Sequence, residues 1–195
     1  MRSGGILCTV FLIVLAVTTA NAATYRIYDG APNTGLEYET LAPAFNAAVA
    51  AGGDHTIQVE YSGPAGQFVE PAMVLGDSGN IEVVSITGFT VGIVPDCAIE
   101  TGYPLFRNAS TTGKTLTIRG ASPANRFSLQ SCFGVPVIDC GDATGNGPIV
   151  LENVVLYKEA AAPDGEFLVL DNRAAAPHML DDVDFIGGNP ASQSL

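Results

Sequence analysis

The sequence predicts an all-β solenoid in which parallel strands stack coil upon coil behind one capping helix. Three observations support this fold class: a short phrase recurs, further alternating segments follow at similar intervals, and only one convincing helical segment occurs. The phrase "GPIVLENVVLY" (147–157) aligns with "APHMLDDVDFI" (176–186) at an offset of 29 residues. Leu151 then meets Leu180, and the apolar and acidic positions coincide. A recurring strand phrase of this kind is typical of repeat architectures.

The helix is predicted by "TLAPAFNAAVAAGG" (40–53). Thr40 is a suitable N-cap, because its hydroxyl can accept a bond from a first-turn amide. The apolar residues after it recur at helical spacing, and Gly52 and Gly53 end the pattern. The predicted organisation is as follows: signal peptide 1–22, N-terminal lead-in 23–40, capping helix 41–53 and coils 54–195.

Short segments that alternate apolar and polar residues follow the helix, and each is bounded by turn-forming residues. Their apolar pairs are Ile57/Val59, Val84/Ile86, Leu116/Ile118, Val154/Leu156 and Val183/Phe185. A parallel β-helix turns such inward positions into apolar columns, and the rest of each coil is the return path that parallel strands need. The alternative is an antiparallel β-sandwich, since hairpin dipeptides such as Asp29-Gly30 also occur.

Two stretches resemble right-handed parallel β-helix proteins of the pectate-lyase-like superfamily. "LAPAFNAAVAAGGDHTIQVEYSG" (41–63) resembles their N-terminal start, where an amphipathic helix covers the first coil and a Gly-Asp turn leads into the first strand. "PVIDCGDATGNGPIVLENVVLYK" (136–158) resembles an interior coil. The resemblance implies right-handed coils over most of residues 41–188. It implies no single activity, because the same coil hosts lyases, hydrolases, epimerases and adhesins.

Residues 1–22 have the pattern of a secretory signal peptide, with cleavage expected between Ala22 and Ala23. An uncleaved anchor is the alternative, but the apolar run at 6–17 is shorter than the roughly 20 residues of a spanning helix. No later segment is long and apolar enough to span. We therefore expect a secreted, cell-surface or periplasmic protein without a membrane span in its mature part.

The formal net charge of −12 limits the partners of the chain. Nucleic acid and anionic lipid bind through Lys and Arg contacts to phosphate, so neither is expected. An extended polysaccharide or a surface protein is the expected partner. After Gly188 only "NPASQSL" remains, and no second cap is evident. Either this tail covers the last coil, or the coils continue in a longer protein, or a partner pairs there.

Three cysteines remain after the signal peptide. Cys132 and Cys140 enclose seven residues and are the predicted disulfide, which leaves Cys97 free or bonded to another chain. The alternative is three buried thiols that act as small hydrophobic residues. No CxxC pair suggests zinc.

The resembled fold often carries a ladder of stacked Asn side chains in a tight turn between two strands. Asn153 above Asp182 fits such a structural ladder, since both residue types tolerate the left-handed backbone. Asn108 begins an Asn-Ala-Ser sequon in a stretch that reads as an outward loop, a glycosylation site only in a eukaryotic protein. His55 and His178 are isolated and are expected in turns or at the surface.

Acidic residues of the two aligned phrases would converge if their coils stack. They are Glu152, Asp181, Asp182 and Asp184. Such a cluster suits calcium, which takes six to eight oxygen ligands, although a solvated acidic edge is the alternative. The basic candidates are Arg119, Arg126, Lys158 and Arg173.

Lys158 and Arg173 lie in the same coils as the acids and are the candidates for a catalytic base. A calcium-dependent lyase or epimerase acting on uronate polymers is therefore the alternative function. The arginine- and proline-containing motif of pectate lyases and the motifs of polygalacturonases are absent. Binding of a polysaccharide or surface partner, without catalysis, is the first expectation.

Overall fold

The computed structural model describes residues 22–63, 66–97, 102–132, 134–140, 147–158, 166–170 and 176–187. Parallel strands wind into a solenoid of about five turns, with one short helix near the N-terminus. Every ladder between the described strands is parallel, and antiparallel contact is limited to two isolated bridges in turns. The parallel β-helix is confirmed, and the antiparallel sandwich is wrong.

The strands, numbered in chain order, form three faces. The first face contains β1 (Ala23–Ile27), β3 (His55–Val59), β6 (Ile81–Ser85), β9 (Leu116–Arg119), the first half of β12 (Ile149–Lys158) and the first half of β14 (Met179–Gly187). The second contains β4 (Gln67–Glu70), β7 (Val91–Pro95), β10 (Phe127–Gln130) and the second halves of β12 and β14. The third contains β5 (Met73–Leu75), β8 (Phe106–Asn108), β11 (Ile138–Cys140) and β13 (Leu168–Leu170). The short β2 (Glu37–Tyr38) pairs with β1.

The core is a set of columns in which equivalent inward residues of successive coils stack. Parallel strands about 4.8 Å apart place equivalent positions over one another. One column on the first face consists of Tyr25, Ile57, Val83, Ile118 and Leu151. All five are buried. Full burial of such a side chain stabilises a fold by about 1.5–3 kcal/mol, so the columns hold the coils together.

The helix α1 (Leu41–Ala51) packs against β1 to β5 at the N-terminal end. Its cap differs from the prediction, because Thr40 makes no side-chain capping bond. Glu70, at the end of β4, accepts hydrogen bonds from the backbone amides of Leu41 (2.7 Å) and Ala42 (3.0 Å). The helix ends at Ala51, and its C-cap Gly52 has a φ of 69°. A carboxylate from the first coil therefore fixes the helix that covers that coil.

The predicted inward residues of β6 are wrong by one position. Val83 and Ser85 are buried, whereas Ile86 is 53% exposed. Val83 lies opposite Ile57, so Val84 points outward. A slip of one residue exchanges the two faces of a strand, because side chains alternate with a period of two.

The 29-residue offset is confirmed, since Leu151 pairs with Leu180 and Val154 with Val183. The assignment of Val154 and Leu156 to the same face as Leu116 is wrong. Val154 lies opposite Phe127 on the second face. The phrase is thus one long strand that turns a corner and contributes to two faces.

The predicted disulfide is also wrong. Cys97 bonds to Cys132, with their Cα atoms 5.5 Å apart, and Cys140 is a free, buried thiol. Cys97 and Cys132 follow β7 and β10, which are neighbours on the second face, whereas Cys140 lies on the third. Burial raises the pKa of the Cys140 thiol to about 12, which keeps it protonated and unreactive.

Candidate functional site

Asn153 and Asp182 form equivalent corners of β12 and β14. Their φ angles are 54° and 51°, and they lie between the paired positions 152/181 and 154/183. A single left-handed residue therefore turns each strand from the first face to the second. Asn153 is buried, and its Nδ2 donates to the backbone oxygen of Gly120 in the coil below (3.4 Å). In the coil below, the partner of Asn153 is thus the backbone carbonyl of Gly120, where a ladder of Asn side chains would have another side chain.

The acidic side chains beside this corner are paired with arginines. Arg119 donates to Glu82 (2.8 Å) and to Glu152 (2.6 Å), and so links three successive coils of the first face. Arg126 donates to Asp182 (2.7 Å) and to Asp184 (2.5 Å). Both guanidinium groups occupy positions between carboxylates.

No three His, Cys, Asp or Glu side chains within the described ranges are grouped so that they could hold a metal ion. Asp182 and Asp184 share Arg126, and Glu152 bonds to Arg119. Calcium binding by these acids and Asp181 stays a prediction.

Of the two candidate bases, the structure describes only Lys158. Lys158 is only 4% exposed, and its Nζ lies 5.5 Å from the ring centre of Phe167. Burial lowers the pKa of Lys158, and Glu166 opposes this shift. The side chain is therefore largely shielded from solvent, whereas a base that acts on a polymer has to reach it. Arg173 lies outside the described residues.

The sequon residue Asn108 is fully buried, so the expectation of an outward loop is wrong. Its Nδ2 donates to the backbone oxygens of Lys114 (2.9 Å) and Pro148 (2.8 Å). A glycan on this nitrogen would remove the bonds that join two coils. His55 is also buried, contrary to prediction, and Nδ1 of His178 accepts from the amide of Ile149.

Sequence reasoning missed a cluster at the corner before the first face. The carboxylate of Asp77 accepts bonds from Ser110, Thr111 and Thr112, through three hydroxyls and two backbone amides. The Thr111 and Ser110 hydroxyls contribute most to a pKa of Asp77 well below its usual range. The turn-forming letters "DSG" and "STTG" mark both loops, but only the coil stacking brings them together.

The last described coil leaves its apolar side chains uncovered. Leu180 continues the buried column of Leu151 and yet is 42% exposed. Val183 and Phe185 are only partly buried. Within the described ranges no strand pairs with the outer edge of β14. The opposite end is covered by α1, so the two ends of the solenoid differ within the part of the chain that the structure describes.

Comparisons with known proteins give no further information on the fold. No protein-family model matches the chain, and neither a curated protein nor a solved structure matches it. Across the parts of the chain that the structure describes, no helix has the length and apolar character needed to cross a membrane. The protein is a parallel β-helix, and its membership of the pectate-lyase-like superfamily stays a prediction.

Proposed function

We propose that the chain is a secreted, helix-capped β-helix module that binds a surface partner by adding a parallel coil to β14. The observation that carries this proposal is the incompletely covered coil at β14, where Leu180, Val183 and Phe185 lie over the fully buried Leu151, Val154 and Leu156. Secretion rests on the signal-peptide pattern of residues 1–22.

Physical chemistry favours a partner at this end. An apolar side chain gains about 1.5–3 kcal/mol on full burial, and three such side chains are aligned here. The outer edge of β14 also offers amide and carbonyl groups for pairing, which makes a free edge a template for another strand. Addition of a strand to a sheet edge is a common mode of recognition.

The partner strand should be parallel, with apolar residues at alternate positions. Only a parallel strand in the same register continues the columns as β14 continues those of β12. Charge gives a second requirement. Asp181 lies over Glu152, two coils from Arg119 in the same outward row. A basic side chain in the next coil would bind Asp181 as Arg119 binds Glu152.

An added coil tests this proposal without a known partner. The register of β12 and β14 sets an offset of 29 residues, so a second copy of the sequence 159–187 placed directly after Gly187, with lysine at the copied Asp181, keeps that offset. We expect the melting temperature to rise by about 5 °C or more, because three apolar side chains become buried.

The matched control carries serine at the copied positions of Leu180, Val183 and Phe185. It has the same length but no apolar face with which to stack. The proposal requires this control to keep the melting temperature of the original chain. If the apolar copy and the serine copy melt at the same temperature, the end of the solenoid does not accept a coil.

Binding of a neutral polysaccharide to the first face is a second candidate. Thr56, Glu82 and Thr117 lie side by side in three successive coils and point outward. Hydroxyl and carboxylate groups in such a row can bond to the hydroxyls of an extended sugar chain. The net charge of −12 favours neutral over anionic polymers.

Affinity electrophoresis through gels that contain a neutral glucan tests this candidate. The double variant Thr56→Val with Thr117→Val removes two hydroxyls and keeps the branched shape. Retardation of the original chain that this variant loses would support binding at the first face. Ser128→Ala on the second face is the control and should be retarded equally. No retardation of the original chain would exclude the tested glucan.

The lyase or epimerase alternative gains no support from the described residues. Lys158 is buried, and the guanidinium groups of Arg119 and Arg126 each bind two carboxylates. Incubation with polygalacturonate and alginate, followed by detection of unsaturated products, would establish this activity if products form.

A further inference from the structure

The start of β1 is anchored by a buried histidine. The backbone nitrogen of Ala23 donates to Nδ1 of His55 over 3.1 Å. The two residues are directly paired in the β1–β3 register. His55 is 5% exposed, and the Tyr25 ring lies edge-on to its imidazole at 5.5 Å between centroids. The imidazole is therefore held in place before any ligand arrives.

The hydrogen bonds of His55 define its tautomer. Nε2 lies 2.8 Å from the backbone oxygen of Gly52, which can only accept a hydrogen bond. Nε2 thus carries the proton, and Nδ1 presents a lone pair to Ala23. The site is a hydrogen-bond acceptor fixed in direction.

A depression of about 230 Å³ adjoins this contact. Ala22 lies on its wall and is exposed, and the carboxyl-bearing Asp54 and Glu82 also line it. Asp54 accepts two bonds from Asn80, and Glu82 binds Arg119. These carboxylates already have partners, so His55 supplies the acceptor and they supply negative surroundings.

We propose that this depression is the binding site of the chain's own α-ammonium group, formed when cleavage after Ala22 leaves Ala23 as the first residue. Cleavage converts the Ala23 amide into an amine with a pKa of about 7.7–8, which is mostly protonated at neutral pH. An ammonium brings three N–H donors to a place where the amide brings one. Charge-assisted hydrogen bonds are stronger than neutral ones.

The proposal predicts that the contact with His55 depends on which residue is the first of the chain. A chain that begins at Thr24 moves its amine by one residue, and successive backbone N–H groups of a strand point in opposite directions. That amine cannot reach Nδ1 of His55 in the same register. Removal of the signal peptide would therefore complete the first coil only when it leaves Ala23 at the terminus.

The test compares purified chains with defined first residues. The chain that begins at Ala23 should melt about 2–4 °C above the chain that begins at Thr24. Its α-amine should react with an acylating reagent about tenfold more slowly than the amine of the free peptide Ala-Thr-Tyr-Arg-Ile. His55→Phe keeps a ring of similar size without an acceptor, and it should restore the peptide's reaction rate.

Three results would overturn the proposal. The first is a secreted protein whose first residue, determined by mass spectrometry, is not Ala23. The second is an Ala23 amine that reacts as fast as the peptide. The third is an unchanged slow rate in His55→Phe. If His55→Phe does not fold, the comparison of the Ala23 and Thr24 chains still decides, and equal melting temperatures count against the site.

Discussion

Asn153 and Asp182 stand one coil apart in the same left-handed backbone conformation, with φ angles of 54° and 51°. Left-handed backbone costs most L-residues about 1–2 kcal/mol, but Asn, Asp and Gly adopt it readily. We expect Asn153→Ala to lower the free energy of unfolding by about 1–2 kcal/mol more than Asn153→Gly. Urea unfolding of both variants measures this difference. Equal losses would show that the side chain, and not the backbone angle, matters at this corner.

Glu70 is the cap of α1, and its removal should destabilise the first coil. Glu70→Ala leaves the amides of Leu41 and Ala42 buried without an acceptor, which should lower the free energy of unfolding by about 2–4 kcal/mol. Thr40→Ala is the matched control, because Thr40 makes no capping bond, and it should change stability little. A larger loss in Thr40→Ala would contradict this assignment.

Glu70 should also make stability depend on pH. Burial raises the pKa of Glu70, while the amides of Ala42 and Leu41 oppose this shift. Because the pKa of Glu70 is raised in the folded state, protonated Glu70 adds to the stability of the fold. This stabilisation is complete below the unfolded pKa and is lost as pH rises through the folded pKa. The Glu70→Gln variant cannot ionise at this position. The wild type should therefore lose stability relative to this variant as pH rises from the unfolded to the folded pKa of Glu70. Parallel pH profiles of the two proteins would contradict the raised pKa.

The disulfide between Cys97 and Cys132 closes a loop between two coils. Its sequence separation of 35 predicts a stabilisation of about 2–4 kcal/mol from chain entropy. Cys97→Ser with Cys132→Ser should show this loss. In the mature chain only Cys140 should react with a thiol reagent, and only after denaturation. A thiol that reacts in the native protein would contradict the pairing.

Arg126 provides the test of calcium. Arg126 already binds Asp182 and Asp184. We therefore expect the wild-type protein to melt at the same temperature in excess calcium and in chelator. Arg126→Gln should lower stability by about 0–1 kcal/mol, as expected for partly exposed ion pairs, and it frees both carboxylates. A calcium-induced rise in the wild type that Asp181→Ala with Asp184→Ala abolishes would establish the calcium site.

The sequence predicted those features that depend on local pattern. The 29-residue offset gave the correct pairing of Leu151 with Leu180, and the apolar stripe gave a helix that begins at Leu41. Side chains of β6 were assigned to the wrong face because Val83, Val84 and Ile86 make both registers apolar. Only pairing with β3 selects one register.

The features that were missed depend on contacts between coils. Glu70 lies 29 residues after Leu41, and no local signal connects a strand end with a helix start. The acids were recognised, but their pairing with Arg126 requires a loop of the third coil to meet β14. Cys132 bonds across coils to Cys97, where proximity in sequence suggested Cys140.

Amide hydrogen exchange of β14 tests the central claim most directly. The measurement compares the protein as secreted by its natural source with the isolated chain 23–195. If a further coil pairs with β14 in the natural protein, the β14 amides should exchange at least about tenfold more slowly there, as expected for strands paired on both edges. Equal exchange in the two samples would contradict the claim that the last coil of this solenoid is a binding surface.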